Sequence, residues 1–226
     1  MLLATLALTS CAGRLPGPAI PTGHLPMSAN DVAPWVAATA TPATVRLRFS
    51  WQFLKEAGNA SGRGAAQIAL PDSLRFDFRG PLGSGRSAAA VIGDSALWAE
   101  PEDRVKELVP SYPILWALLG QARRPGPGDQ VTGMENDRVR AWRYVNGADT
   151  VDYVLTLTTP RQLVADVRQD GRRLGRVLTT YDADGWPRSS RLDVPSGPAR
   201  LNLTFTERDR LDSIPRDQWV RPADEF

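Results

Sequence analysis

Side chains able to carry catalysis are few in this chain and poorly spaced for it. Among 226 residues there is one histidine, His24, and one cysteine, Cys11. Both lie in an N-terminal stretch rich in Pro, Gly, Ala and Thr, whereas a Ser-His-Asp or Cys-His arrangement needs its histidine held rigidly in a pocket. A single cysteine with a single histidine also falls short of the usual transition-metal ligand sets. Asp182, Asp184 and Gly185 open like a calcium loop, but the later spaced oxygen ligands and the closing glutamate are missing, which leaves a hairpin turn. Glu100, Glu102 and Asp103 cluster as carboxylates for acid-base work would. At a helix start they read more simply as compensation of the helix dipole. No glycine-rich phosphate loop follows a strand and opens a helix. The expectation is a protein that is not an enzyme, with no catalytic residue, no metal and no cofactor.

What remains is covalent attachment at Cys11 and apolar contact. Residues 1 to 8 are uncharged and mostly apolar, and Thr9-Ser10 stand before Cys11. This is the pattern of a short export segment followed by a small-residue cleavage site. An upstream start would explain why no Lys or Arg precedes it. About ten residues cannot span a bilayer, which needs roughly 20. Leu8-Thr9-Ser10-Cys11 resembles the lipobox of bacterial lipoproteins, which implies cleavage before Cys11 and lipid on its thiol. A lone cysteine forms no internal disulfide, so the fold rests on its core.

Composition then divides the chain into a signal peptide over 1–10, a lipidated flexible tether over 11–43 and a folded domain over 44–226. The tether has few large apolar residues besides Trp35. Its reach would be roughly 30 Å, shortened if Ser28 to Ala38 form a helix that packs Trp35 onto the domain. The net charge is +2, and of the 27 basic residues all but Lys55 and Lys106 are arginine. Acidic residues are scattered among them, so the chain lacks the basic stripe of a nucleic-acid binder.

From Val45 the pattern has period two. Val45, Leu47, Phe49, Trp51 and Phe53 alternate with polar residues and share one face of a strand. Similar runs cover 64–70, 74–79, 87–92, 96–100, 139–145, 151–157, 163–168, 174–181, 189–194 and 201–206. Asn146-Gly147, Asp170-Gly171 and Asp184-Gly185 supply hairpin turns. Pro101 with Glu102 and Asp103 starts a short helix ending near Val109. Tyr112 to Leu119 follows as an apolar helix stopped by Gly120. A mainly β fold is expected, a single curved antiparallel sheet with that helix as its lid and the segment after Leu211 packed across an edge.

The apolar face is either a filled core or a partly filled slot for acyl chains, and both need the same residues. The candidates for lining it are Phe49, Trp51, Phe53, Phe76, Phe78, Leu115, Trp116 and Leu119. At Arg79-Gly80-Pro81-Leu82-Gly83-Ser84 one leucine projects from a turn of glycine and proline.

Pro81-Leu82-Gly83-Ser84 resembles the corresponding loop of the outer-membrane lipoprotein receptor family (LolB). Leu115-Trp116-Ala117-Leu118-Leu119-Gly120 is similar to that family's apolar helix. Tyr181-Asp182, Pro187, Leu192 and Arg200-Leu201-Asn202-Leu203 follow the order of its last strands. The resemblance implies a half-open antiparallel barrel, a β-clam closed by helices, with a cavity for acyl chains of lipoproteins or lipids. It implies a monomer held at the outer membrane through Cys11 and facing the periplasm, membrane insertion by Leu82, and delivery from a soluble periplasmic carrier of the same fold (LolA). Ala12 lacks the aspartate that marks inner-membrane retention, which fits that address. The strands between Asn146 and Gln169 lie nearer the carrier's plan. A structural envelope lipoprotein with a filled core, docking on outer-membrane proteins, is the alternative.

Overall fold

Alternation of large apolar and polar side chains sorts most of the chain into strands with one dry face. The computed structural model describes residues 17–81, 85–195 and 199–221; Cys11 and Leu82 lie outside the described residues. The strands are β1 (Leu25–Met27), β2 (Val45–Lys55), β3 (Gly58–Ala69), β4 (Ser73–Arg79), β5 (Arg86–Ile92), β6 (Ser95–Glu100) and β7 (Gln130–Glu135). They continue as β8 (Val139–Asn146), β9 (Asp149–Thr156), β10 (Gln162–Gln169), β11 (Arg172–Tyr181), β12 (Pro187–Val194) and β13 (Ala199–Arg210). Helices α1 (Ala29–Ala37), α2 (Glu102–Leu108) and α3 (Tyr112–Leu118) complete the regular structure, with a 3-10 turn at Arg216–Trp219.

All strands belong to one antiparallel sheet in the order β1-β7-β8-β9-β10-β11-β12-β13-β2-β3-β4-β5-β6. With β1 and β6 at its two edges, the sheet is not closed into a barrel. The expected mainly β fold, a single open antiparallel sheet covered by a few short helices, is therefore the observed one. Asp182 and Asp184 form the expected hairpin, where the Asp182 Oδ1 accepts from the backbone N–H of Asp184 at 3.0 Å and of Trp186 at 2.9 Å.

One face of the sheet holds the core. Its inward rows include Val45, Leu47 and Phe49 of β2, Leu74 and Phe76 of β4, Trp142 and Tyr144 of β8, Tyr153 and Leu155 of β9, and Leu201 and Leu203 of β13, all buried. Burying each large apolar side chain contributes about 1.5–3 kcal/mol. α3 lies against β10, β11 and β12, and α2 against β5 and β6. Over β8, α1 rests through Trp35, whose ring is 6.0 Å from that of Trp142.

The other face is covered at two places by segments that precede and follow the sheet's long strands in sequence. Residues 17–27, expected as part of a flexible tether, instead cross β8–β11. Ile20 packs with Ala141, Val154 and Val164, Arg176 donates to the Pro18 carbonyl, and β1 pairs with β7. α1 follows, with Ser28 and Asp31 forming a reciprocal cap at its start. The reason lies in the sheet, because Val154 and Val164 point outward and their burial orders a segment too poor in apolar residues to fold alone. At the other end, Arg75 donates to the Gln218 carbonyl at 2.5 Å and Trp98 to that of Trp219 at 2.9 Å, holding 211–221 across β4 and β6.

Candidate functional site

All of the expected lining residues belong to the buried core on the inner face of the sheet, the aromatic residues of β2 and β4 in contact with one another and α3 lying against β10, β11 and β12. Phe49, Trp51 and Phe53 come from β2, Phe76 and Phe78 from β4, Leu115 and Trp116 from α3, and Leu119 from the residue that caps it. They are between 1% and 6% exposed. The Phe78 ring is the hub, with centroids of Phe49 at 5.6 Å, Trp51 at 5.8 Å and Phe76 at 5.5 Å in edge contacts. Phe205 of β13, absent from the expected set, stands 5.8 Å from Phe49. Its alternation with Leu201 and Leu203 was the available sign.

β3, between β2 and β4, contributes glycine where the others carry rings. A Cβ on Gly64 would sit 2.4 Å from the Phe49 ring, and one on Gly62 would sit 2.9 Å from the Trp51 ring and 1.9 Å from the Arg79 carbonyl oxygen. The rings therefore lie across the β3 backbone as an apolar floor. Trp51 Nε1 fixes its ring there by donating to the carbonyls of Arg63 and Arg79, each at 3.2 Å.

The lid is bonded to the walls by polar groups that point inward. Helix ends leave carbonyls without intrahelical partners. Here Thr179 Oγ1 donates to the Ala117 carbonyl at 2.6 Å, Ser190 Oγ to that of Leu118 at 2.7 Å, and the Tyr181 hydroxyl to that of Gly120. Trp116 Nε1 donates to the Gly93 carbonyl at 2.7 Å in the β5–β6 turn. Beyond α3, Arg123 pairs with Asp94 of the same turn at 3.1 Å and with Asp129 at 2.8 Å, while its guanidinium lies 5.0 Å from the Tyr144 ring centre. Burial raises the Asp94 carboxyl above its usual range against the opposing pull of Arg123, and nearby Asp129 adds to the rise. These contacts join the turn between β5 and β6 to β8, near the opposite edge of the sheet.

A solvent-open cleft of about 440 Å³ is lined by Asp184, Trp186, Arg208 and Arg210. Arg208 stacks on Trp186 and pairs with Asp182 at 2.7 Å and Asp184 at 2.8 Å. It is polar and lies apart from the aromatic floor. Among the described residues no group of His, Cys, Asp and Glu could hold a metal ion, and no helix is long and apolar enough to cross a membrane.

No protein-family profile matches the chain and no curated protein matches it in sequence. Solved structures do. A DUF1329 family protein from Desulfovibrio piger superposes with a TM-score of 0.50 at 8% identity, over 85% of this chain and 95% of that one. A LolA superfamily protein from Nitrosomonas europaea gives 0.45 at 8%, over 86% and 98%. In the Pseudomonas aeruginosa MucA/MucB complex the likeness is 0.35 at 14%, over 86% of this chain and 61% of the other. At such identities the likeness concerns the fold alone, and it is the first of these structures that supports the open-sheet architecture.

Proposed function

We propose that this chain is a lipid-anchored protein of the outer membrane, facing the periplasm, that holds acyl chains of lipoproteins or lipids on its concave face and helps insert them into the bilayer. The observation that carries this reading is the aromatic floor of β2 and β4, packed across the glycines of β3 inside a sheet that is not closed into a barrel. Burying acyl methylenes on such a floor would contribute about 0.8 kcal/mol each. Binding of this kind needs neither cofactor nor fixed charge. Entry of a chain would require α3 to lift, against its hydrogen bonds with Thr179, Ser190, Tyr181 and the Gly93 carbonyl and against the Arg123–Asp94 pair. A carrier of LolA type would be the source of cargo, and Leu82 the side chain that enters the membrane.

The near-complete burial of the candidate residues favours a second reading, an envelope lipoprotein with a filled core that docks on outer-membrane proteins. Native mass spectrometry of the gently purified protein separates the two. Acyl species should co-purify, and a consistently empty protein that takes up no fluorescent fatty acid would establish the second reading instead. Because a carboxylate does not partition into lipid, Leu82→Glu should abolish transfer from a loaded carrier to liposomes while leaving acyl binding intact. Unchanged transfer would remove Leu82 from the mechanism.

A further inference from the structure

The cleft between the β11–β12 turn and the end of β13 is a gap in the sheet to which the acyl-chain reading gives no role. β12 pairs with β13 only as far as Ser189 opposite Thr204, whereas β13 pairs with β2 through to Arg210 opposite Val45. From Phe205 to Arg210, β13 therefore has a strand on one side alone. Pro187 opens β12 and has no N–H to continue the ladder. The chain before it is the turn that carries Asp184 and Trp186.

One bond shows which main-chain groups face the gap. The Leu211 N–H donates to the Thr44 carbonyl, on the β2 side, at 2.9 Å. In an extended strand the N–H and C=O of successive residues point to alternate sides, and the β13–β2 register does not shift again after Glu207. Asp209 thus faces β2, and the N–H and C=O of Arg208 and Arg210 face the cleft. Among the described residues these groups have no backbone partner.

The side chains add a charge and an aromatic wall. Arg208 is neutralised by Asp182 and Asp184 and lies 5.1 Å from the Trp186 ring centre, so it holds the turn across the gap. Arg210 is exposed and has no acidic partner among the described residues. It stands opposite inward-facing Val45, while the acids beside it, Asp209 and Glu207, pair with Arg46 and Arg48 on the outer face. Among the described residues, neither the strap over β8–β11 nor the segment that reaches β4 and β6 lines the cleft.

An unpaired strand edge is a template for another backbone. In strand addition the main-chain bonds supply affinity and the neighbouring side chains select the sequence. We propose that the cleft binds an extended peptide segment of a partner protein, antiparallel to β13 as every pair in the sheet is. An acidic residue of that segment lies opposite Arg210, and an apolar one two residues on lies opposite Arg208 and against Trp186. Two strand residues that each exchange both bonds with a partner give about four hydrogen bonds. The volume of about 440 Å³ falls within the usual range for ligand pockets, roughly 300–1,000 Å³. Such binding needs no acyl chain on the aromatic floor, no role for Leu82 and no lipid on Cys11, so it holds or fails apart from the reading above.

Heteronuclear NMR of the full chain carrying Cys11→Ala tests it by amide exchange and by peptide titration. In the free protein the Arg208 and Arg210 amides should exchange quickly and those of Asp209 and Leu211 slowly. Protection of Arg208 and Arg210 before any peptide is added would mean that the chain fills the gap itself, which overturns the proposal. The probe is the peptide acetyl-Thr-Asp-Thr-Val-Thr-amide. It should shift the Arg208 and Arg210 amides and the Trp186 indole saturably, and slow exchange at the two amides. Arg210→Gln should weaken binding by up to about fivefold, the worth of one opposite-charge pair across strands, and Arg210→Lys should keep it. A peptide with Lys in place of Asp should bind more weakly still. N-methylation at the Asp or Val of the peptide, whose amides face β13, should abolish the shifts, and N-methylation at the central Thr should not. Absence of a saturable shift, equal loss from either pattern of methylation, or binding indifferent to the charge opposite Arg210 overturns the proposal.

Discussion

Three guanidinium groups converge on the wholly buried Asp166 carboxylate, those of Arg168 at 3.0 Å, Arg173 at 2.8 Å and Arg176 at 3.1 Å. Arg176 is itself almost fully buried and also donates to the Pro18 carbonyl, so one carboxylate organises both the outer face of β10–β11 and the N-terminal strap. Removing one partner of a buried ionic cluster costs more than the cluster contributes, because the remaining charges are left uncompensated. Asp166→Asn should lower the unfolding free energy by about 3–5 kcal/mol in urea titrations. Arg168→Gln, at a side chain 37% exposed, should cost under about 1 kcal/mol. Equal effects at the two positions would mean that Asp166 is not the organising group.

β3 is the element on which the aromatic floor depends. Overpacking a full site costs about 1–3 kcal/mol, and a methyl group on Gly62 or Gly64 meets backbone oxygen as well as a ring, so it cannot be accommodated by a rotamer change. Gly62→Ala and Gly64→Ala should each destabilise by at least that amount and should red-shift or quench tryptophan emission through Trp51. Neutral behaviour of both would show that the rings do not lie over β3. The alternation of β2 and β4 made the floor's aromatic residues legible from sequence. The first half of β3, Gly-Asn-Ala-Ser-Gly, has no apolar period, and only pairing with the long β2 makes it a strand. β1 and β7 were illegible for a related reason, since Leu25-Pro26-Met27 and the glycine-interrupted Val131 to Met134 gain their strand character from each other and from β8. Tyr153-Val154-Leu155 and Leu163-Val164-Ala165 did carry a readable sign. Continuous apolar runs mark strands buried on both faces, and the segment that covers the second face was already present as residues 17–27.

For the whole molecule, that strap would set how far the domain can stand from a lipid carried on Cys11. If Cys11 carries lipid, only the residues before Gly17 are left to span the gap. Fully extended they reach about 20 Å, which keeps the outer side of β10–β11 near the bilayer. Detaching the strap would add the residues up to Ser28 and lengthen the reach severalfold. His24 should make that attachment sensitive to acid. Burial, and then the Arg143 charge, lower its pKa below the ordinary 6.5, while Asp152 opposes them. Both charged groups belong to the sheet, Arg143 to β8 and Asp152 to β9, and they pair with each other at 2.6 Å. A histidine with a depressed folded-state pKa takes up a proton more readily when released, so the strap's hold is full above pH 6.5 and is lost as pH falls through the folded pKa. Amide hydrogen exchange over residues 17–28 should therefore quicken between pH 7.5 and 5.5, after correction for intrinsic rates, while β10 and β11 stay protected. In His24→Gln the change with pH should vanish. Exchange in the strap that follows β10 at every pH would mean that it opens only with the sheet, and the reach of the domain would then be fixed.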